Sequence, residues 1–136
     1  MLVVDAGGDI GGYWGKVLTV AAQQRGLAGL VIDGGVRDVA DLKELRFPVF
    51  ARGIDVRGTI KRDRGEIAAP VTVGGVRVEH GDLVLGDGDG VVSVPAAKID
   101  QVLVAAHERE ARERDVVERL CRGELTVDIY GLRGPT

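Results

Sequence analysis

The 136-residue chain has few of the residues on which whole classes of function depend. Its single cysteine, Cys121, excludes an internal disulfide framework and a multi-cysteine metal site. No run approaches the roughly 18 apolar residues of a membrane-spanning helix. The N-terminus has neither the basic region nor the apolar stretch of a signal peptide. We therefore expect a cytoplasmic protein with no membrane partner.

The chain also lacks an excess of basic charge. Its net charge is −3, which disfavours a nucleic-acid binder because such proteins usually present a basic face. Hydrophobic residues make up 45% and charged residues 29% of the chain, as in an ordinary globular domain with its own core. These values predict one domain and no nucleic-acid partner.

Nucleophiles and histidines are scarce as well. Ser93 is the only serine and lies inside a predicted strand, not on the elbow of a serine hydrolase. His80 and His107 have no partner at metal-ligand spacing, so we expect both on the surface. Cys121 has no histidine nearby to activate it, and we expect a structural thiol.

Glycine is the residue in excess, with 21 copies that indicate many tight turns between short elements. In the first half, apolar strands alternate with helical patterns, which predicts parallel pairing with right-handed crossovers. Val17, Leu18, Ala21 and Ala22 form the predicted apolar stripe of the first helix, with Gly26 as its C-cap. The predicted elements are a strand at Met1–Asp5, a helix at Tyr13–Arg25, a strand at Ala28–Ile32, a helix at Val36–Leu45 and a strand at Pro48–Ala51.

The second half has a different pattern. Arg57–Ile67 is polar and basic and is predicted to be an exposed stretch. Two short alternating runs around Gly74-Gly75 predict a β-hairpin. Further predicted elements are strands at Asp82–Leu85 and Val91–Val94, a long helix at Ala96–Arg122 that is almost wholly charged between His107 and Asp115, and a last strand or arm at Leu125–Tyr130.

Two glycine-rich segments resemble ligand loops. Asp5–Gly12 follows a strand, as in methyltransferases and dinucleotide-binding folds, but Asp9 replaces a required glycine. The alternative is a backbone that wraps a small anion at the start of the following helix. Gly86–Gly90 resembles the opening of a calcium loop, but the later ligands are missing, so a tight turn between strands is the better interpretation.

The segment Val31–Asp38 carries the strongest chemical signal. An apolar strand stops at Gly34-Gly35, and Arg37-Asp38 follows where a helix should begin. An arginine fork suits a carboxylate, and an aspartate suits a hard metal ion. Asp41, three residues after Asp38, can face the same site. The residues alone leave two interpretations open: a ligand site, or a helix N-cap at Asp38 beside a surface arginine.

The order of these segments resembles the RraA-like family, which includes the class II 4-hydroxy-4-methyl-2-oxoglutarate and 4-carboxy-4-hydroxy-2-oxoadipate aldolases and the regulators of ribonuclease activity A. The resemblance covers the chain to about Pro95 and, more loosely, the long helix. The segments that carry it are Gly11–Gly15, Asp33–Asp38, Pro48–Arg52, Gly74–Val78, Gly81–Val84 and Asp87–Pro95.

The resemblance implies an α/β fold, a β/β/α swivelling domain, assembled as a homotrimer or hexamer with sites at subunit interfaces. It also implies a single RraA-like domain over residues 1–136: a β/α core at 1–95, a C-terminal helix at 96–122 and a C-terminal arm at 123–136. Family members usually carry an additional N-terminal segment, which we expect this chain to lack.

The aldolase branch has the pattern D-x20-R-D-x2-[DE], and Arg37, Asp38 and Asp41 match its last three positions. By that resemblance Arg37 is catalytic and binds the carboxylate and enolate oxygen of a pyruvate unit. Asp38 ligates Mg²⁺ or Mn²⁺ directly, and Asp41 holds a metal-bound water. The backbone at Gly15, Val17 and Leu18 supplies amide donors to the substrate.

One position departs from the pattern. Lys16 stands where the family has an aspartate that orients a metal-bound water. A lysine ammonium cannot accept a hydrogen bond from that water and adds positive charge near a cation. Lys16 is therefore expected to impair metal binding and aldol cleavage, and we treat a proton-donor, ion-pair or Schiff-base role for it as open. Acids of a neighbouring subunit could complete the site; the candidates are Glu108, Glu110 and Glu113.

Two functions follow from the resemblance. The first is a divalent-metal-dependent aldolase that releases pyruvate from a small 2-keto acid and also decarboxylates oxaloacetate, because both reactions pass through the same enolate. The second is a non-catalytic RraA-type regulator that binds ribonuclease E or another protein. Asp38 favours the enzyme, whereas Lys16 favours the regulator.

Overall fold

The computed structural model describes residues 1–61 and 64–134. Two residues of the predicted exposed stretch, 62 and 63, and the last two residues of the predicted arm lie outside this part. The chain forms two compact units, residues 1–96 and residues from 97 onward. The first contains β1 (Leu2–Asp5), β2 (Gly12–Trp14), α1 (Lys16–Gln23), β3 (Leu30–Val36), α2 (Val39–Glu44), β4 (Val49–Ile54), β5 (Val71–Val73), β6 (Val76–Val78), β7 (Leu83–Gly86) and β8 (Val91–Val94).

The first four strands form a parallel sheet centred on β3, which confirms the predicted parallel α/β arrangement. β1 pairs with the first half of β3 and β2 with its end, while β4 pairs along both halves. β1 and β2 therefore follow one another along one edge of β3, and β4 occupies the other edge. The hydrophobic core packs around β3, with Leu30 fully buried.

The prediction that the β3 strand stops at Gly34-Gly35 is wrong. β3 continues through both glycines to Val36, and the helix predicted from Val36 begins only at Val39. The loop after β1 crosses β3 here: a Cβ added at Gly35 would lie 1.8 Å from the Ile10 carbonyl oxygen, and one at Gly34 would lie 2.7 Å from Ala6 Cβ. The two glycines thus allow backbone to pass over the strand instead of turning it.

We predict that Gly35→Ala destabilises the protein by at least about 3 kcal/mol, because the backbone of the crossing loop must move to admit a methyl group. Gly88→Ala is the matched control, since a Cβ there meets nothing within 4 Å. Urea unfolding followed by circular dichroism measures both variants. A Gly35→Ala protein as stable as Gly88→Ala would contradict the close approach.

The first helix is shorter than predicted, and of the predicted apolar stripe only Ala22 is among its buried residues. It begins at Lys16, because Gly12–Trp14 forms β2 against the end of β3. Its buried residues are Thr19 and Ala22, whereas Val17 of the predicted stripe is 79% exposed. Thr19 can be buried because Trp14 Nε1 donates a 2.7 Å hydrogen bond to its hydroxyl.

The predicted capping and turn chemistry is confirmed. Gly26 has a positive φ of 69°, and its N–H and that of Leu27 close the end of α1 on the carbonyls of Gln23 and Ala22. β5 and β6 pair in antiparallel register around Gly74-Gly75, both at positive φ. The turn at 86–90 joins β7 and β8, with the Asp87 carboxylate accepting the N–H groups of Asp89 and Gly90. It is therefore a tight turn and not a calcium loop.

The glycine loop after β1 is not an anion cradle. The Asp5 and Asp9 carboxylates accept the N–H groups of Gly7 and Gly11, and backbone carbonyls accept those of Gly8 and Gly12. Asp9 also accepts a 2.8 Å hydrogen bond from the Tyr13 hydroxyl, which lowers the pKa of Asp9. Because these N–H groups are bonded within the protein, the loop itself does not offer them to an anion.

Asp33 ties the parallel sheet to the first hairpin. Its carboxylate accepts hydrogen bonds from Arg52 on β4 and, at 3.0 Å, from the N–H of Gly74. The Arg52 guanidinium is the main reason that the pKa of Asp33 is lowered, with the Gly74 N–H second. The ionised carboxylate is thus the form that holds the hairpin.

A lowered native pKa makes the contribution of Asp33 depend on pH. It is fully present above the ordinary aspartate pKa of about 3.9 and is lost as the pH falls through the lower native value. We predict that Asp33→Asn lowers the urea midpoint at pH 7 and that its gap to the wild type closes towards pH 2. Asp89→Asn, in an exposed turn, serves as control. An equal difference in urea midpoint between Asp33→Asn and the wild type at pH 7 and pH 2 would contradict the role of the ionised Asp33 carboxylate.

The second unit is helical. After a short 3₁₀ turn at Ala96–Lys98, α3 runs from Ile99 to Cys121 and α4 from Thr126 to Ile129. The strand alternative for Leu125–Tyr130 is therefore wrong, because the N–H groups of Ile129 and Tyr130 bond to the carbonyls four residues earlier. Cys121 is exposed, which contradicts a structural thiol, while His80 and His107 are exposed as predicted. Within 1–61 and 64–134, no helix is both long and apolar enough to span a bilayer.

Candidate active site

Two helices start side by side at the carboxyl edge of the parallel sheet. α1 follows β2, α2 follows β3, and the two strands are held together where they end by a 2.8 Å hydrogen bond from the Arg37 N–H to the Trp14 carbonyl. In open α/β sheets this edge is where ligands bind. Arg37, Asp38, Asp41 and Lys16 all lie here, so the structure brings the residues predicted from the motif together.

Asp38 joins the two helix starts. It occupies the N-cap position of α2 in a left-handed conformation (φ 58°, ψ 37°), yet its carboxylate does not cap α2. Its Oδ2 instead accepts a 3.0 Å hydrogen bond from the backbone N–H of Lys16, the first residue of α1. A Cβ on Gly15 would lie 2.4 Å from that oxygen, so only glycine fits there. Asp38 therefore caps the neighbouring helix and fixes the spacing of the two.

Lys16 faces Asp41. Its Nζ lies 2.6 Å from Asp41 Oδ1, and the two side chains are 55% and 36% exposed. The hydrogen bond that Lys16 donates to the Asp41 carboxylate is the main reason that the pKa of Lys16 is raised. A Schiff base forms only from a neutral amine, so this ion pair disfavours that role. The Lys16 side chain thus forms its ion pair with Asp41, whereas Asp38 accepts the Lys16 backbone N–H.

The Arg37 guanidinium is available to a ligand. Its aliphatic stem packs over Gly12 and Gly15, and Nη1 lies 3.6 Å from where a Cβ on Gly58 would be. Among the residues that the structure describes, no carboxylate lies within ion-pair distance of it, whereas Arg52 and Arg57 are paired with Asp33 and Asp55. An exposed, unpaired guanidinium at a strand end suits a small carboxylate.

The start of α1 adds backbone donors. The first N–H groups of a helix have no partner within it and carry partial positive charge. In α1 the N–H of Lys16 is already engaged by Asp38, which leaves those of Val17 and Leu18 in the first turn. Both residues are exposed, at 79% and 40%. The donor role of the Val17 and Leu18 amides stays a prediction, whereas Gly15 provides the room for the Asp38 carboxylate.

The residues at this corner do not fit a divalent metal ion. Across 1–61 and 64–134, no three His, Cys, Asp or Glu side chains are grouped so as to hold one. One Asp38 oxygen accepts the Lys16 N–H, and the Lys16 ammonium occupies Asp41. The neighbouring-subunit acids stay a prediction; Glu108 and Glu113 pair with arginines of their own helix.

Sequence reasoning missed the part of the corner that Trp14 organises. Trp14 stacks on Phe47 with ring centroids 6.3 Å apart and bonds to Thr19, which anchors the first turn of α1 to the core. A tryptophan and a threonine five residues apart give no periodic signal. The one signal in the sequence was that a single tryptophan in a chain with few aromatic residues tends to lie in the core.

Asp38 and Asp41 are predicted to differ in their effect on stability. Asp38→Ala removes a helix cap and is expected to cost about 1 kcal/mol. Asp41→Ala removes only an exposed ion pair and should change stability far less. Chemical unfolding at pH 7 measures both. Equal decreases in the free energy of unfolding for Asp38→Ala and Asp41→Ala would contradict the capping role of Asp38.

Comparison with known proteins agrees with this geometry. The family model described as "RraA-like: Aldolase/RraA" matches residues 1–93. The chain belongs to the RraA-like family. The expected α/β fold of that type is thereby confirmed. The division of residues 1–136 into core, helix and arm stays a prediction.

Individual relatives include both branches of the family. A Halalkalibacterium halodurans protein named "Putative 4-hydroxy-4-methyl-2-oxoglutarate aldolase" is 37% identical over 125 residues, 88% of this chain and 60% of its own length. An uncharacterised Pseudomonas syringae protein of known structure superposes with a TM-score of 0.84 at 30% identity, over 90% of this chain and 62% of its own. Streptomyces coelicolor RraAS2, described as an unusual member of the RNase ES inhibitor RraA family, superposes with a TM-score of 0.79 at 33% identity, over 87% and 61%. The chain thus spans about three fifths of each of these proteins.

Proposed function

We propose that the corner around Arg37 binds a small 2-keto acid and that the chain is a pyruvate-releasing aldolase. The observation that carries this proposal is the unpaired Arg37 guanidinium beside the Val17 and Leu18 amides, all at the carboxyl edge of the sheet. The name of the Halalkalibacterium relative supports 4-hydroxy-4-methyl-2-oxoglutarate as the type of substrate.

The chemistry needs positive charge near one oxygen. When the C3–C4 bond of a 4-hydroxy-2-keto acid breaks, its electron pair moves into the pyruvate unit as an enolate, and the 4-hydroxyl gives its proton to a water molecule as a new carbonyl forms. Arg37 and the α1 amides stabilise the carboxylate and the enolate oxygen, and a proton then adds at C3. Oxaloacetate loses CO₂ through the same enolate, so we propose decarboxylation as a second activity.

The corner would also be covered by a second copy of the chain. Three apolar side chains near it are largely exposed: Val17 by 79%, Ile54 by 71% and Val56 by 88%. Such exposure is characteristic of a surface that is buried in an oligomer. We therefore propose a homotrimer or hexamer, which sedimentation equilibrium would distinguish from a monomer.

Arg37→Gln is predicted to raise KM for oxaloacetate by about tenfold to a hundredfold, because charge-assisted hydrogen bonds to a carboxylate contribute about 1.5–3 kcal/mol. A coupled assay for pyruvate, with and without Mg²⁺ or Mn²⁺, measures turnover, and ligand-observed NMR measures pyruvate binding. Arg77→Gln, on the first hairpin, removes one positive charge at a position outside the corner. It should leave the KM for oxaloacetate and the binding of pyruvate unchanged. A wild type that neither turns over oxaloacetate nor binds pyruvate better than Arg37→Gln would refute the proposal.

The second candidate is a non-catalytic regulator that binds ribonuclease E or a related protein. Two observations support it. The Lys16 ammonium pairs with Asp41, an acid of the family motif, and the chain is similar to a member of the RNase ES inhibitor RraA family. Pull-down of purified ribonuclease E by the tagged chain, insensitive to Arg37→Gln, would favour this function. Turnover without such binding would favour the aldolase.

A further inference from the structure

One residue, Lys16, satisfies both carboxylates of the corner. Its backbone N–H donates to Asp38 Oδ2 at 3.0 Å, and its ammonium lies 2.6 Å from Asp41 Oδ1. The two aspartates lie on the first turn of α2, and Lys16 reaches them from the start of α1. The corner therefore contains a cation that is part of the chain.

The Lys16 ammonium already offsets acid charge at the corner. It pairs with Asp41, and the charges of Glu44 and Asp38 also act on it. A divalent ion approaching Asp41 would meet an ammonium at hydrogen-bond distance and would have to displace it. An ammonium donates three hydrogen bonds and accepts none, so it cannot become a ligand itself.

We propose that the Lys16 ammonium is a built-in cation that replaces a divalent metal ion at this corner. The chain then binds anions through two fixed side-chain cations, Lys16 and Arg37, and requires no metal. The assignment of the anion as a 2-keto acid rests on the proposed function, whereas the replacement of the metal does not. One Lys16 donor is directed to Asp41, and the remaining donors are free to contact a ligand oxygen.

The proposal makes residue 16 the position that excludes metal. Lys16→Asp removes the ammonium and adds a third carboxylate beside Asp38 and Asp41. Carboxylate oxygens are the ligands that Mg²⁺ and Mn²⁺ prefer. Lys16→Gln removes the ammonium without adding a carboxylate. Lys43→Asp, on α2, makes the same change of charge as Lys16→Asp at an exposed position outside the corner.

The test measures Mn²⁺ binding to the full chain by electron paramagnetic resonance and titration calorimetry. We expect no site in the wild type or Lys43→Asp, weak Mn²⁺ binding in Lys16→Gln because the competing ammonium is gone, and one site per chain in Lys16→Asp that binds Mn²⁺ at least about tenfold more tightly than Lys16→Gln does. The Lys16→Asp site should disappear when Asp38→Asn is added. Circular dichroism confirms that each variant is folded, and Mn²⁺ should raise Tm most for Lys16→Asp.

Three results would overturn the proposal. The first is a stoichiometric Mn²⁺ site in the wild type that Asp38→Asn removes. The second is an equal increase in Mn²⁺ affinity in Lys16→Asp and Lys43→Asp, because such an increase would reflect the change in net charge alone. The third is a folded Lys16→Asp protein with no site. Pyruvate binding to the wild type in excess chelator is measured separately, so that a failure of the keto-acid assignment leaves the metal result interpretable.

Discussion

The position of the candidate site depends on a close approach between two backbone segments at Gly35. The loop after β1 passes directly over this residue, and no side chain larger than hydrogen leaves room for it. The loop can therefore deliver Gly12–Trp14 to the same edge of β3 that β1 occupies, where it becomes β2. Because β2 ends beside the end of β3, α1 and α2 start next to each other. The pairing of two helix starts, and with it the corner, follows from that contact.

Side chains then fix the corner that the backbone has brought together. Trp14 anchors the first turn of α1 through Thr19 and the Phe47 ring, and Asp38 caps α1 from the start of α2. The two contacts hold opposite sides of the same helix start, one in the core and one at the surface. The Val17 and Leu18 amides consequently have a defined direction relative to Arg37, which lies one residue before Asp38. Such preorganisation is what a site needs in order to stabilise developing charge.

Much of the fold could be predicted from the sequence, because its signals are local. Alternating residues around Gly74-Gly75 indicate a hairpin, and apolar runs separated by helical patterns indicate a parallel sheet. The errors arose where distant segments meet. Gly34-Gly35 resembles a turn until Ile10 is seen to cross it, and the three residues of β2 are too short for a periodic pattern. At the site, the resemblance to the family pattern pointed to Arg37, Asp38 and Asp41, but the pairing of Lys16 with Asp41 spans 25 positions and has no short-range signal.

The same geometry gives residue 16 an influence beyond its own charge. A divalent ion would concentrate positive charge at one point, and its position would be set by the oxygen atoms that coordinate it. Two side-chain cations are more restricted, because Arg37 follows the end of β3 and Lys16 lies at the start of α1, so the protein backbone limits how far apart they can be. In the proposed site, charge stabilisation therefore depends on the Asp38–Lys16 hydrogen bond and on the crossing at Gly35. A packing residue such as Gly35, which contacts no ligand, would then affect the site because it positions the backbone segments that carry both cations.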